Sequence, residues 1–67
     1  MVPNAEATLT LGDAVRFRSP QTADEARERF YVVEMRGDRV LVEDADPYWR
    51  GVRPTFVYAL ADLEPTQ

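Results

Sequence analysis

The stretch Pro47-Tyr48-Trp49-Arg50-Gly51-Val52-Arg53-Pro54 sets two aromatic rings and two guanidinium groups in one loop bounded by prolines. Rings beside cations suit planar or anionic ligands and peptides. A second reading folds Trp49 back as a lid over an open end of the fold. Upstream, Glu43, Asp44 and Asp46 form an acidic cluster. Paired carboxylates can hold Mg²⁺ or Ca²⁺ through oxygen. This run lacks the ligand alternation and the glycine of a dedicated calcium loop, so it reads as a solvated acidic turn. Arg36-Gly37-Asp38 has the form of a cell-adhesion tripeptide. Set between two β-branched runs, it reads as a hairpin turn in which glycine supplies a positive φ.

What is missing narrows the chemistry further. The 67 residues include no cysteine, no histidine and no lysine, so all eight cations are arginines. There is no thiol nucleophile, no imidazole base, no Schiff-base lysine and no nitrogen- or sulfur-ligated metal. Carboxylates and tyrosines are the only remaining general acids or bases, and no pair stands out by spacing. No catalytic residue and no metal ligand is therefore assigned. A formal net charge of −4 argues against nucleic acid as a partner, because a phosphate-binding footprint is basic. No apolar run approaches the roughly 18 residues of a membrane span, and no signal peptide is visible, so the expectation is a cytoplasmic protein off the membrane.

Four apolar runs must position whatever the chain binds. Leu9, Leu11, Val15 and Phe17 alternate with polar residues, with Gly12-Asp13 marking a bend,. Phe30 to Met35 and Val40 to Glu43 flank the Gly37-Asp38 turn and form a hairpin,. Pro54 opens a fourth run ending at Leu60, after which Ala61-Asp62-Leu63 reads as one helical or 3₁₀ turn and Glu64 as a very short last strand,. Thr22 and Glu25 have the spacing of a capping box, which predicts a short, solvated helix over Ala23–Arg29 in the first long loop,. This order describes an all-β, five-stranded SH3-like barrel, with an OB-like barrel as the alternative. Met1–Thr8 reads as a loose N-terminal tail, residues 9–64 as the barrel and residues 65–67 as a C-terminal tail,.

The strands are apolar on both faces. Alternation assigns Val15, Phe17, Val33, Met35, Val40, Val42, Val57, Leu60 and Leu63 to the core. It leaves Phe30, Val32, Leu41, Phe56 and Tyr58 on the outer face. A domain of this size buries only about 60% of its unfolded surface, so it cannot cover both faces by itself. The tail or the long loop could cover one or two of these residues. The functional reading is an interface.

Gly12-Asp13-Ala14-Val15-Arg16, then a hairpin, then Val57-Tyr58-Ala59-Leu60-Ala61-Asp62-Leu63-Glu64, resembles the plasmid-borne type II dihydrofolate reductases. The chain is also similar to small bacterial SH3-like proteins with segments like Arg29–Val32 and Arg36–Val42. The reductase resemblance implies an SH3-like barrel assembled as a homotetramer around a pore, binding NADPH and folate. Aligned on its tyrosine, that family's Val-Gln-Ile-Tyr pore motif falls on Thr55-Phe56-Val57-Tyr58. Tyr58 is kept, but Phe56 replaces the glutamine that meets both ligands. The pore-mouth lysine falls on Phe17, with Arg18 beside it. The expectation is the same scaffold with a different or absent activity: a non-catalytic binding or self-association module with no cofactor. The alternative is a divergent NADPH-dependent reductase. Candidate interface or ligand contacts are Phe56, Tyr58, Trp49, Tyr48, Phe30, Val32 and Leu41. The expected partner is a second copy, as a dimer or tetramer, or another protein.

Overall fold

The computed structural model describes residues 9–66. The expected N-terminal tail and Gln67 lie outside the described residues. Five strands run β1 (Ala14–Phe17), β2 (Phe30–Arg36), β3 (Arg39–Asp44), β4 (Thr55–Ala59) and β5 (Leu63–Pro65). A helix α1 (Ala23–Arg27) lies between β1 and β2, and a 3₁₀ turn (Leu60–Asp62) joins β4 to β5. The strands form one antiparallel sheet in the order β4-β3-β2-β1-β5. No helix among the described residues is long and apolar enough to cross a membrane.

The expected barrel is not closed. β5 pairs its three residues with β1 and β4 its five with β3, so among the described residues each keeps a free edge. The 3₁₀ turn ties the two ends together by other bonds. Leu60 N–H donates to Asp38 O at 2.8 Å, and Arg18 N–H donates to Asp62 O at 2.8 Å. β5 runs one residue past the expected end at Glu64, and Thr66 N–H beyond it donates to Ala14 O.

Local chemistry explains the connections. Gly37 has φ +63 and no described non-glycine residue has a positive φ, so the two-residue hairpin loop follows the type II′ pattern, with glycine first,. At the entry to β1, Asp13 N–H donates to Thr10 O and Thr10 N–H donates to Asp13 Oδ2 at 2.9 Å, making the expected bend. Thr22 caps α1, its Oγ1 accepting from Glu25 N–H at 3.0 Å. Glu25 Oε1 reaches back to Gln21 N–H, one residue earlier than in the standard box,. The helix ends at Arg27 rather than Arg29. It has no apolar stripe to propagate it, and its cap supports little more than one turn.

The buried core is Leu9, Val15, Phe30, Val32, Val40, Val42 and Leu63, with Phe17, Tyr58 and Leu60 packed against it. Several face assignments are corrected. Val33, Met35 and Val57 are exposed, while Phe30 and Val32 are buried. Register gives the reason. Val32 lies opposite Val42, but the ladder then slips, so Glu34 meets Leu41 and Val33 is the extra residue of a β-bulge,. The bulge returns Met35 to the inner face opposite Val40, at the far end of the sheet where little covers it. On β4, Phe56 lies opposite Val42 and Tyr58 opposite Val40. Both therefore point to the inner face, not the outer one. Of the five residues expected outside, only Leu41 faces that way, opposite Val57.

Candidate functional site

Phe17, Phe30, Phe56 and Tyr58 meet on the inner face, where β4 lacks a further neighbour. Phe30 is the hub. Its ring lies 5.4 Å from Phe17, 5.9 Å from Phe56 and 5.5 Å from Tyr58, all edge-to-face. Phe17 also meets Tyr58 edge-to-face at 5.2 Å. Phe56 and Tyr58 stack at 5.8 Å with planes 17° apart. These are the favoured arrangements of rings that carry a negative face and a positive edge. Phe30 is 2% exposed, whereas Phe56 is 37% exposed. The cluster is thus anchored in the core and open to solvent at β4.

The four rings and three carboxylates, Glu25, Glu28 and Asp44, line a groove of about 280 Å³. The elements place each group. Asp44 lies opposite Phe30 in the β2–β3 ladder, on the same face as the rings. Glu25 sits in α1 and Glu28 caps its end, three residues on, so both lie over one helix face,. Burial pushes the Tyr58 phenol above its ordinary pKa, and the charges of Glu28 and Glu25 push it the same way. Tyr58 is therefore a neutral hydroxyl at physiological pH.

Two clefts adjoin the groove. One, of about 450 Å³, shares Phe17, Tyr58 and Glu25 and adds Arg18 and Asp62. The other, of about 470 Å³, runs between α1 and the loop after β3. There Arg27 and Arg29 lie among four carboxylates, Asp24, Glu28, Asp44 and Asp46, and no aromatic ring is present.

The structure brings together Phe30, Phe56 and Tyr58 from the sequence-derived candidates. Val32 is buried in the core, and Leu41 lies on the other face. Tyr48 and Trp49 stand in the loop after β3, outside the groove lining. Trp49 is 44% exposed, and its indole N–H donates to Val52 O at 2.9 Å, so it braces its own loop instead of covering the sheet. Arg53 braces the same loop by donating to the carbonyls of Asp44 and Asp46. Asp44 and Asp46 carboxylates accept from Asp46 N–H and Tyr48 N–H, which makes the acidic cluster a pair of successive side-chain-capped turns,. No three acidic side chains among the described residues are grouped to hold a metal ion.

Sequence reasoning missed Phe17, Glu25, Glu28 and Asp44 as groove residues. The i,i+3 spacing of Glu25 and Glu28 on a capped helix was the available signal, but it cannot say which strand the helix overlies. No protein-family model, curated protein or solved structure matches this chain.

Proposed function

We propose that the chain is a non-catalytic, SH3-like binding module that receives a segment of a partner protein in the aromatic groove. The element order of strand, long loop with helix, hairpin, loop, strand, 3₁₀ turn and short strand supports the SH3-like reading. The observation that carries the binding reading is Phe56, 37% exposed within a cluster of four rings. Large exposed apolar groups around a concave surface mark contact sites. The reductase alternative has less behind it. Phe56 stands where that family's pore glutamine would be, and three carboxylates border the surface where anionic NADPH and folate would have to lie.

The test is selection of random peptides on the immobilised protein, with Phe56→Ser as counter-target. Enriched peptides should lose binding to Phe56→Ser, whose fold a thermal melt verifies. Enrichment that ignores the substitution would refute a site at the groove.

Self-association is a second reading, favoured by a different surface. The outer face carries Tyr31, Val33 and Val57, each 43–51% exposed, beside the free edge of β4. Analytical ultracentrifugation separates the two surfaces. An oligomer split by Val57→Glu but not by Phe56→Glu assembles through the outer face, and the reverse result places the contact in the groove. A wild type that stays monomeric at high micromolar concentration removes this reading.

A further inference from the structure

We infer that the aromatic groove takes the cationic head of an arginine or lysine side chain from an extended segment of a partner protein. This rests on the binding-module reading and adds the class of group recognised.

The lining is one-sided in charge. Among the described residues it holds four aromatic rings and three carboxylates, and no cation. No guanidinium group lines the groove itself among the described residues, although Arg27 and Arg29 line the adjoining cleft with two of these carboxylates, Glu28 and Asp44. Arg18 donates to Ala61 O and Leu63 O, Arg29 to Ala26 O and Glu28 O, and Arg27 to Asp24. The carboxylates keep acceptor capacity. Glu25 gives one oxygen to Gln21 N–H and Asp44 one oxygen to Asp46 N–H. Among the described hydrogen bonds, the Glu28 carboxylate accepts none. A carboxylate bordered by ring faces attracts a cation twice, by charge and by the negative face of the ring. The same arrangement repels phosphates and carboxylates, in keeping with a chain of net charge −4.

The neighbouring backbone favours a peptide over a free small cation. Among the described residues β4 is an edge strand, with outer N–H and C=O groups that no described strand pairs, and these suit an added strand,. Successive side chains of such a strand alternate between faces. Every second side chain would point to the face of Phe56 and Tyr58, with the acidic side chains of α1 and Asp44 beyond.

Four capped tripeptides test this on the full chain: acetyl-Val-X-Val-amide with X as arginine, lysine, norleucine or glutamate. The readout is the NMR shift of the Phe56 and Tyr58 ring resonances. The arginine and lysine peptides should give saturable shifts, the norleucine peptide should bind at least about tenfold more weakly, and the glutamate peptide should give none. Added salt should weaken the cationic peptides and leave the norleucine peptide unchanged. Glu28→Gln should weaken the arginine peptide severalfold and leave the norleucine peptide alone, and Glu28→Asp should recover part of the loss. A norleucine peptide that binds as tightly as the arginine one overturns the cation inference and leaves the groove as an apolar docking site. Ring resonances that no peptide moves also overturn it, and the random-peptide selection then decides the broader reading separately.

Discussion

The inner face of the sheet has two halves. Around Val15, Val32, Val40, Val42 and Leu63 it is aliphatic and closed, each of the five being 3% exposed or less. Towards β4 it becomes aromatic and open, with Phe17 and Tyr58 half-buried and Phe56 exposed. The difference follows from the side chains that meet there. In the closed half, compact aliphatic side chains interdigitate and fill the space. In the other half β4 is an edge, and only rings are long enough to span the gap from Phe30 outward. Stability is concentrated in one half and recognition in the other. Phe30 is the residue shared between them.

Substitutions can break this division if it is wrong. The largest effect belongs to the closed half. Val42→Ala removes buried methyl groups at a position with no exposure, and should cost about 1–3 kcal/mol in a denaturant melt. In a domain of this size that is a large share of the total. Thr22→Ala comes next. It removes the acceptor for Glu25 N–H at the start of α1, at a cost of about 1 kcal/mol. Because α1 carries Glu25 and ends at Glu28, the same change should also loosen the acidic rim, read as weaker binding of the arginine peptide. Val33→Ala is smaller still. Val33 is the bulge residue and is 43% exposed, so its cost should stay within about 0.5 kcal/mol. Equal losses for Val33→Ala and Val42→Ala would place the bulge elsewhere in β2.

Those two valines also show how far the sequence could be read. Turn and cap chemistry is local, so the Gly37-Asp38 hairpin, the Gly12-Asp13 bend, the Thr22 cap and the 3₁₀ turn were all legible. Which face of each strand points inward is not local. β2 and β4 carry apolar residues on both sides, so register alone decides the face, and Glu34, which alternates with Phe30 and Val32, points to the wrong face of β2 until the bulge is known. The bulge at Val33 leaves no mark in composition, because one valine among several looks like continued alternation. Phe56 and Tyr58 were legible as contact residues for the same reason that their face was not. They are large, apolar and more than the core needs. The carboxylates of the groove belong to three separate elements, and only the tertiary arrangement of α1 over the sheet brings them to one place.

The smallest effect at neutral pH is also the most specific to the open half. The Tyr58 phenol is raised above its ordinary value of 10.0, first by burial and then by Glu28 and Glu25. In the unfolded chain it loses its proton at the ordinary value; in the folded chain it holds the proton to higher pH. Between those two values the folded state binds more protons than the unfolded one, so stability falls as pH rises. Below pH 10 both states are protonated and this contribution does not vary with pH. Removing a carboxylate should therefore lower the folded-state value and narrow the alkaline window. The measurement is phenolate absorbance during an alkaline titration, taken as the difference between the protein and its Tyr58→Phe form. The Tyr58 step should lie above 10 in the wild type and move down in Glu28→Gln. A step that Glu28→Gln leaves in place would mean that burial and Glu25 set it without Glu28. The Glu28 charge would then not reach the groove that the cationic side chain is proposed to enter.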